Sequence, residues 1–242
     1  MVYLIFSDVH SNLEALQAFF EVVEEMPHDK LVCLGDLVGY GADPNLVLEL
    51  VREKTDILLA GNHDYAVCGK IKTTTFNSYA YHAALWTRKV LIYEKKKFLH
   101  SLPIYLENDG ITWVHSSPFE PEKWHYLTST KDAIKNFDVL KTNLAFMGHT
   151  HSPLVIEETE KDRARIIKGS SIKLSEDLRY LINVGSLGQP RDGDSKPCFV
   201  RFDSISRELS FHRFSYLLEE TQKKILINEL PPFLAQRLSQ GL

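Results

Sequence analysis

The chain begins VYLIFSDVHSN: an apolar run stops at Asp8 and His10, a carboxylate and an imidazole two residues apart. In an extended chain such positions share a side, so the two groups are expected to converge on one atom. Four more apolar runs end in groups of the same kind. LVCLGDLVGYG delivers Asp36, ILLAGNHD delivers Asn62, His63 and Asp64, ITWVHSSP delivers His115, and LAFMGHTHSP delivers His149 and His151. Taken singly these are ordinary, since a Gly-Asp step is usually a turn and a strand-end histidine is usually just hydrogen-bonded. Together they place five of the ten histidines in short motifs, each at the exit of a strand. Imidazole, carboxylate and amide oxygen without thiolate form a donor set for Mn, Fe, Zn, Ni or Co rather than a structural cysteine site. The atom at which Asp8 and His10 meet is therefore expected to be a metal ion.

Such a site needs a scaffold that brings strand ends together. Val2–Phe6, Leu31–Leu34 and Ile57–Ala60 read as buried strands. Between them, Leu13, Leu16, Phe19, Phe20 and Val23 recur at helical spacing after a Ser11-Asn12 cap with Glu14 in the first turn, and Pro44 starts a second helix that runs to Arg52. This βαβαβ order predicts a parallel sheet, and open α/β sheets bind ligands beyond the carboxyl ends of their strands. Phe76 to His100 reads as one long helical stretch rich in aromatics. Short strands are expected at 104–106, 111–115, 144–147, 154–158, 164–167, 180–184, 198–202 and 209–212, with Asp109-Gly110 as a hairpin turn. The tail from Tyr216 is helical and breaks at Pro231-Pro232.

Bulk properties narrow the class. At 242 residues, 44% apolar and 25% charged, the sequence is that of an ordinary globular domain with a substantial core. A net charge of −4 and the lack of a basic stripe argue against long nucleic acid as a partner. No apolar run reaches the length of a membrane span and no basic leader begins the chain, so no membrane partner is expected. Cys33, Cys68 and Cys198 are odd in number and widely spaced, which points to a reducing, cytoplasmic setting. Nothing in the sequence indicates an oligomeric state. One domain over residues 1–242 is expected, with a lid-like helical insertion at about 70–100 and a helical tail at about 215–242.

In type and order the motifs resemble the calcineurin-like metallophosphoesterase superfamily in its compact bacterial and archaeal form. The resemblance runs from Asp8 to His151 and continues in NVGSLGQPRDG. It implies an α/β fold, a four-layer αββα sandwich of mixed β-sheets with flanking helices and the metal site at strand ends. It implies two divalent metal ions, one held by Asp8, His10 and His151, the other by Asn62, His115 and His149, with Asp36 bridging both. Ions roughly 3.5–4 Å apart can share a hydroxide that attacks phosphorus in line. Two carboxylates leave such a cluster positive, which makes phosphate its natural counter-ligand. The histidine of the GNH motif, His63, would protonate the leaving group; otherwise it orders the cluster from behind. Asp64 either orients His63 or caps a turn or helix.

One departure is informative. The protein Ser/Thr phosphatases of this superfamily carry an arginine shortly after the GD motif, where this sequence has Tyr40. Arg191 in GSLGQPRDG is the candidate replacement for binding substrate phosphate, against the reading of a solvated surface arginine. Phe76, Tyr79, Tyr81, His82 and Trp86 either form a lid that stacks a nucleobase or pack their helix onto its sheet. The resemblance thus implies a phosphoesterase acting on a small phosphorylated substrate: a phosphomonoester, a phosphodiester, or a nucleotide such as a dinucleoside polyphosphate. The alternatives are a nuclease for short or single-stranded nucleic acid and a non-catalytic scaffold of the same fold.

Overall fold

In the computed structural model, which describes residues 1–242, the run after Met1 is strand β1 (Val2–Phe6). Its alternation sends Leu4 and Phe6 into an apolar layer under helices, and Tyr3 and Ile5 into a layer between two sheets. Helix α1 (Leu13–Glu24) is capped by Asn12, whose Oδ1 accepts the Ala15 N–H at 3.0 Å. Strand β2 (Lys30–Cys33), helix α2 (Pro44–Lys54) and strand β3 (Ile57–Leu58) complete the expected unit, with the three strands parallel.

Three helices follow: α3 (Asn62–Cys68), α4 (Ser78–Val90) and α5 (Tyr93–Ser101). The continuous helix expected over Phe76 to His100 is broken at Leu91-Ile92. The cause is Asn45 of α2, which donates from Nδ2 to the Val90 carbonyl at 3.0 Å and accepts the Ile92 N–H at 3.2 Å. Leu91 meanwhile turns into the core. Strands β4 (Tyr105–Asn108) and β5 (Ile111–Val114) form the expected hairpin, with Asp109 and Gly110 at φ of 52° and 73°. Both central residues of a two-residue type I′ turn need positive φ, which is why Asp-Gly suits it.

Helix α6 (Thr130–Val139) was not anticipated, although Ser129 and Asp132 form a capping box that the sequence displays. Strands β6 (Leu144–Met147), β7 (Leu154–Glu160) and β8 (Arg163–Ile167) come next, then β9 (Ser171–Lys173), a short edge strand also missed. Strands β10 (Tyr180–Asn183), β11 (Cys198–Asp203) and β12 (Glu208–Arg213) precede helices α7 (Leu218–Ile227) and α8 (Pro232–Gln236) and a 3₁₀ turn, Arg237–Gln240.

Two mixed six-stranded sheets result, ordered β3-β2-β1-β11-β12-β9 and β4-β5-β6-β10-β7-β8. Tyr3, Trp113, Phe146 and Phe202 meet between them, and each fully buried side chain of this size contributes about 1.5–3 kcal/mol. Helices cover both outer faces, α1 and α2 on one and α6 on the other. This is the αββα sandwich that the motifs implied. The C-terminal helices lie against α4: Ile225, Leu234 and Leu238 pack with Ala80, Ala83 and Tyr40. The small face of α4 therefore meets the tail, and only Ala84 joins the core under the first sheet. Glu14 is buried against the tail, accepting from Thr221 Oγ1 at 2.8 Å and pairing with Lys224.

Candidate metal centre

The exits of β1 and β2 are zipped together by main-chain bonds. Asp8, His10 and Ser11 donate to the carbonyls of Gly35, Asp36 and Leu37, each at 2.9 Å. Asp8, His10, Asp36, His149 and His151 all have positive φ, from 48° to 68°. Asp8 and His10 do meet, with His10 Nε2 3.8 Å from Asp8 Oδ1. The reason differs from strand alternation: the chain turns left-handed as soon as β1 ends. Left-handed backbone costs a non-glycine residue roughly 1–2 kcal/mol, and the cross-loop bonds hold it there.

Two glycines admit the carboxylates. A Cβ on Gly61 would lie 2.0 Å from Asp36 Oδ1, and one on Gly148 would lie 2.5 Å from Asp8 Oδ2. Asp36 Oδ1 accepts the His63 N–H at 2.9 Å, and Asp8 Oδ2 accepts the His149 N–H at 3.0 Å. Each carboxylate thus has one oxygen anchored to backbone and one turned toward the imidazoles.

Metal-ligand geometry shows most clearly in those imidazoles. Each has one ring nitrogen set against a main-chain carbonyl: His10 Nδ1 on Val38 (3.1 Å), His115 Nδ1 on Leu34 (2.9 Å) and His151 Nδ1 on Gln189 (2.6 Å). His149 uses Nε2 on Trp124 at 3.0 Å. A nitrogen that donates to a carbonyl must carry the proton, so the other nitrogen presents its lone pair to the cluster. His10, His115 and His151 present Nε2, and His149 presents Nδ1.

Two overlapping sets emerge, Asp8–His10–Asp36–His151 and Asp36–His115–His149, each with its donor atoms within 4.8 Å of one another. Asp36 belongs to both: its Oδ2 lies 3.6 Å from His10 Nε2 and 3.4 Å from His115 Nε2. Asp8 Oδ1, Asn62 Oδ1 and His115 Nε2 are buried without a hydrogen-bond partner, which ordinarily costs about 1–3 kcal/mol apiece. Cations would satisfy all three, so the residues present fit such ions. All seven sequence-predicted ligands are buried.

The titration of these groups favours the same state. Burial opposes the charged form of Asp8 and Asp36, yet the neighbouring imidazoles hold both carboxyls below the ordinary range, His151 foremost for Asp8 and His115 foremost for Asp36. Burial lowers His10 and His151, and lowers His149 to about 3. His115 is the exception: burial lowers it, but the charge of Asp36, 3.4 Å away, lifts it to about 9. Ionised carboxylates beside mostly neutral imidazoles are what a divalent cation requires.

The remaining predicted residues surround this cluster. His63 lies outside both ligand sets, its ring 4.9 Å from that of His10, 4.5 Å from Tyr40 and 4.7 Å from Phe76. Burial lowers it to about 4, and its Nδ1 has no partner. Asp64 makes no bond to that ring. It accepts the N–H groups of Gly61, Leu37 and Val38 at 2.8, 3.1 and 3.0 Å, so it caps α3 and pins the GD loop. Burial and then the Asp36 charge raise it to about 7.

Arg191 is half-buried behind His151, its N–H donating to the His151 carbonyl at 3.1 Å and its guanidinium carbon 5.7 Å from the Tyr40 ring. Of the aromatic segment, Phe76 reaches His63 and Tyr79 stacks on Phe233, whereas Tyr81 stays exposed. Two residues near the site went unnoticed in the sequence. Tyr126 stacks on His149 at 4.3 Å, and Leu238 comes in from the tail to pack with Tyr40. Neither sits in a motif, so only the fold could reveal them.

Residues 1–206 match the family described as the calcineurin-like phosphoesterase superfamily domain. The chain is 40% identical to an uncharacterized protein of Methanocaldococcus jannaschii over 98% of its own length and 97% of that protein's. It is similar to a crystal structure of a metallophosphoesterase from Sphaerobacter thermophilus, with 38% identity, a TM-score of 0.88, and 100% and 99% of the two chains covered. A hypothetical protein from Pyrococcus horikoshii OT3 has the same fold at 20% identity, with a TM-score of 0.82 over 100% and 98% of the two chains.

Proposed function

The chain belongs to the calcineurin-like phosphoesterase superfamily, and from that premise we propose that it is a metal-dependent hydrolase of small phosphorylated molecules. The observation that carries this reading is Asp36, whose Oδ2 faces one imidazole of each ligand set. In this reading Asp8, His10 and His151 bind one divalent ion, Asn62, His115 and His149 bind another, and Asp36 serves both. Mn, Fe, Zn, Ni and Co all suit these oxygen and nitrogen donors. Bound ions would supply Lewis acidity and a nucleophilic water at neutral pH.

The chain's own groups do the rest. His63, outside both ligand sets but packed against His10, delivers the proton to the departing oxygen. Because burial keeps it neutral in the free protein, the proton must be taken up when an anionic phosphate arrives beside the ring. Arg191 receives the substrate phosphate in place of the arginine absent after the GD motif. Tyr40 and Phe76 close around the His63 ring and exclude water from it. The helices after Cys68 and the C-terminal tail belong to the same domain as a wall beside the site. A non-catalytic scaffold would have no use for three unpartnered donor atoms held in a buried cluster. Three free thiols, two of them buried, support a reducing cytoplasmic setting.

The test is a metal-reconstituted screen of phosphomonoesters, cyclic nucleotides, dinucleoside polyphosphates and single-stranded nucleic acid. Chelation should abolish turnover, and Mn²⁺ or Co²⁺ should restore it. Full turnover by thoroughly metal-free protein would sink the proposal.

A further inference from the structure

Helix α7 lies beyond residue 206, where the family match ends, yet its side chains reach the turn that carries His10. Lys224 and Ile225 stand three and four residues after Thr221, so the three share one face. Ile225 packs in the apolar cluster of Tyr40, whose ring is 4.7 Å from that of His10. Thr221 is buried, and its hydroxyl shares one proton between Asn12 Oδ1 at 3.0 Å and Glu14 Oε2 at 2.8 Å. Lys224 pairs with Glu14 and Asp43.

Asn12 joins these contacts to the candidate metal centre. It stands two residues after His10, is buried, and caps α1 through Oδ1. Its Nδ2 donates to the Gly188 carbonyl at 2.9 Å. The Gly188 N–H in turn donates to the Asp8 carbonyl at 2.9 Å, and the next carbonyl in that loop, Gln189, holds His151 Nδ1 at 2.6 Å. Asn12 thus fastens the turn of Asp8 and His10 to the loop that orients His151. From the other side, the Asp43 N–H donates to the Ser11 carbonyl at 3.1 Å, so Lys224 steadies the same turn through Asp43. The turn needs such support: Asp8, His10 and Ser11 hold φ of 56°, 48° and 55°, which persists in non-glycine residues only where the surroundings enforce it. No hydrogen bond or ion pair from α7 reaches the segments that carry Asn62, His115 or His149.

We propose that Thr221 is a positioning residue for one half of the metal centre. Acting through Asn12, it fixes the turn of Asp8 and His10 and so sets the affinity of the ion bound by Asp8, His10 and His151. The ion bound by Asn62, His115 and His149 does not depend on it. The inference rests on the two-ion reading of the cluster, and it makes the C-terminal helix a support of that cluster as well as a cover for α4 and Tyr40.

The experiment is calorimetric titration of metal-stripped parent, Thr221→Val and Thr221→Ser with Mn²⁺. Thr221→Val keeps the branched shape and removes the hydroxyl; Thr221→Ala carries the same expectation should valine unfold the chain. The parent should show two binding steps. Thr221→Val should weaken one of them about tenfold, as for other outer partners of metal ligands, and Thr221→Ser should restore it. With His149→Ala in the background, the remaining step should still respond to Thr221→Val; with His151→Ala it should not. Equal weakening of both steps would mark a general loosening of the fold and overturn the proposal. So would a valine variant that binds both ions like the parent, or a loss that serine does not rescue. A parent that takes up no ion would sink the two-ion reading and this inference with it, whereas an unaffected valine variant sinks this inference alone.

Discussion

Replacing His63 by asparagine should separate chemistry from metal binding. The main-chain bond that ties this residue to Asp36, 2.9 Å from N to Oδ1, does not involve the ring and survives the change. None of the donor atoms in the two ligand sets belongs to His63, so both ions should be retained. What is lost is a buried ring packed among His10, Tyr40 and Phe76. Deleting such packing costs about 1–3 kcal/mol, which for a chain of this size lowers Tm by roughly 2–4 °C per kcal/mol. The catalytic effect should be larger. General-acid catalysis contributes roughly 10²–10⁴-fold, and at about 1.36 kcal/mol per tenfold this is about 3–5 kcal/mol of barrier. That loss should fall in full on kcat for an alkyl phosphate, whose alkoxide needs a proton to leave. With p-nitrophenyl phosphate the leaving group departs unprotonated, and kcat should fall by less than about tenfold. The assay is paired steady-state kinetics on the two substrates, with metal content measured on the same preparations. Equal losses on both substrates with both metals present would refute the acid role and leave the ring as a structural prop of the cluster.

Two further outcomes are expected. Asp36→Asn keeps an oxygen for the His63 N–H but removes the negative charge shared by both ligand sets, so elemental analysis should find occupancy of both ions reduced at least about tenfold, consistent with the several kcal/mol of a close charge pair; two tightly retained ions would contradict the bridging role. Lys224 lies against Glu14 and Asp43, its Nζ 2.8 Å from Asp43 Oδ2. Burial lowers its pKa, but the hydrogen bonds it donates to Asp43 and Glu14 dominate and raise it above the ordinary 10.5. A raised lysine stabilises the fold fully below its unfolded value and loses that contribution as pH climbs through the folded one. Lys224→Gln should therefore cost about 1–3 kcal/mol in urea unfolding near pH 8, with the gap to the parent closing above the usual lysine range. A gap that stays constant through strongly alkaline pH would show that the charge is not what matters.

The sequence by itself determined every strand but the short edge strand β9, the strand exits and the kind of chemistry at each exit, because these are local properties. An unbroken apolar run needs only its own residues to declare a buried strand, and Asp109-Gly110 needs only its two backbones to declare a turn. The donor types at Asp8, His10, Asp36, Asn62, His115, His149 and His151 were legible for the same reason. Which nitrogen each imidazole turns inward was not, because it is set by the carbonyls of Leu34, Val38, Trp124 and Gln189, some of them far along the chain. Nor could alternation explain how Asp8 and His10 meet, since their left-handed backbones are held by bonds to the Gly35–Leu37 loop. The break at Leu91 came from Asn45 on a neighbouring helix, and Asp64 proved to be a cap only once the GD loop lay within reach of its oxygens. The tail is the extreme case: nothing in its sequence ties it to the site, and it reaches Tyr40 only because the C-terminal helices bury their apolar side chains against α4 and that ring. Propensity and pattern act over a few residues, whereas the approach of one charge to another across the chain is decided by which apolar faces the fold must cover.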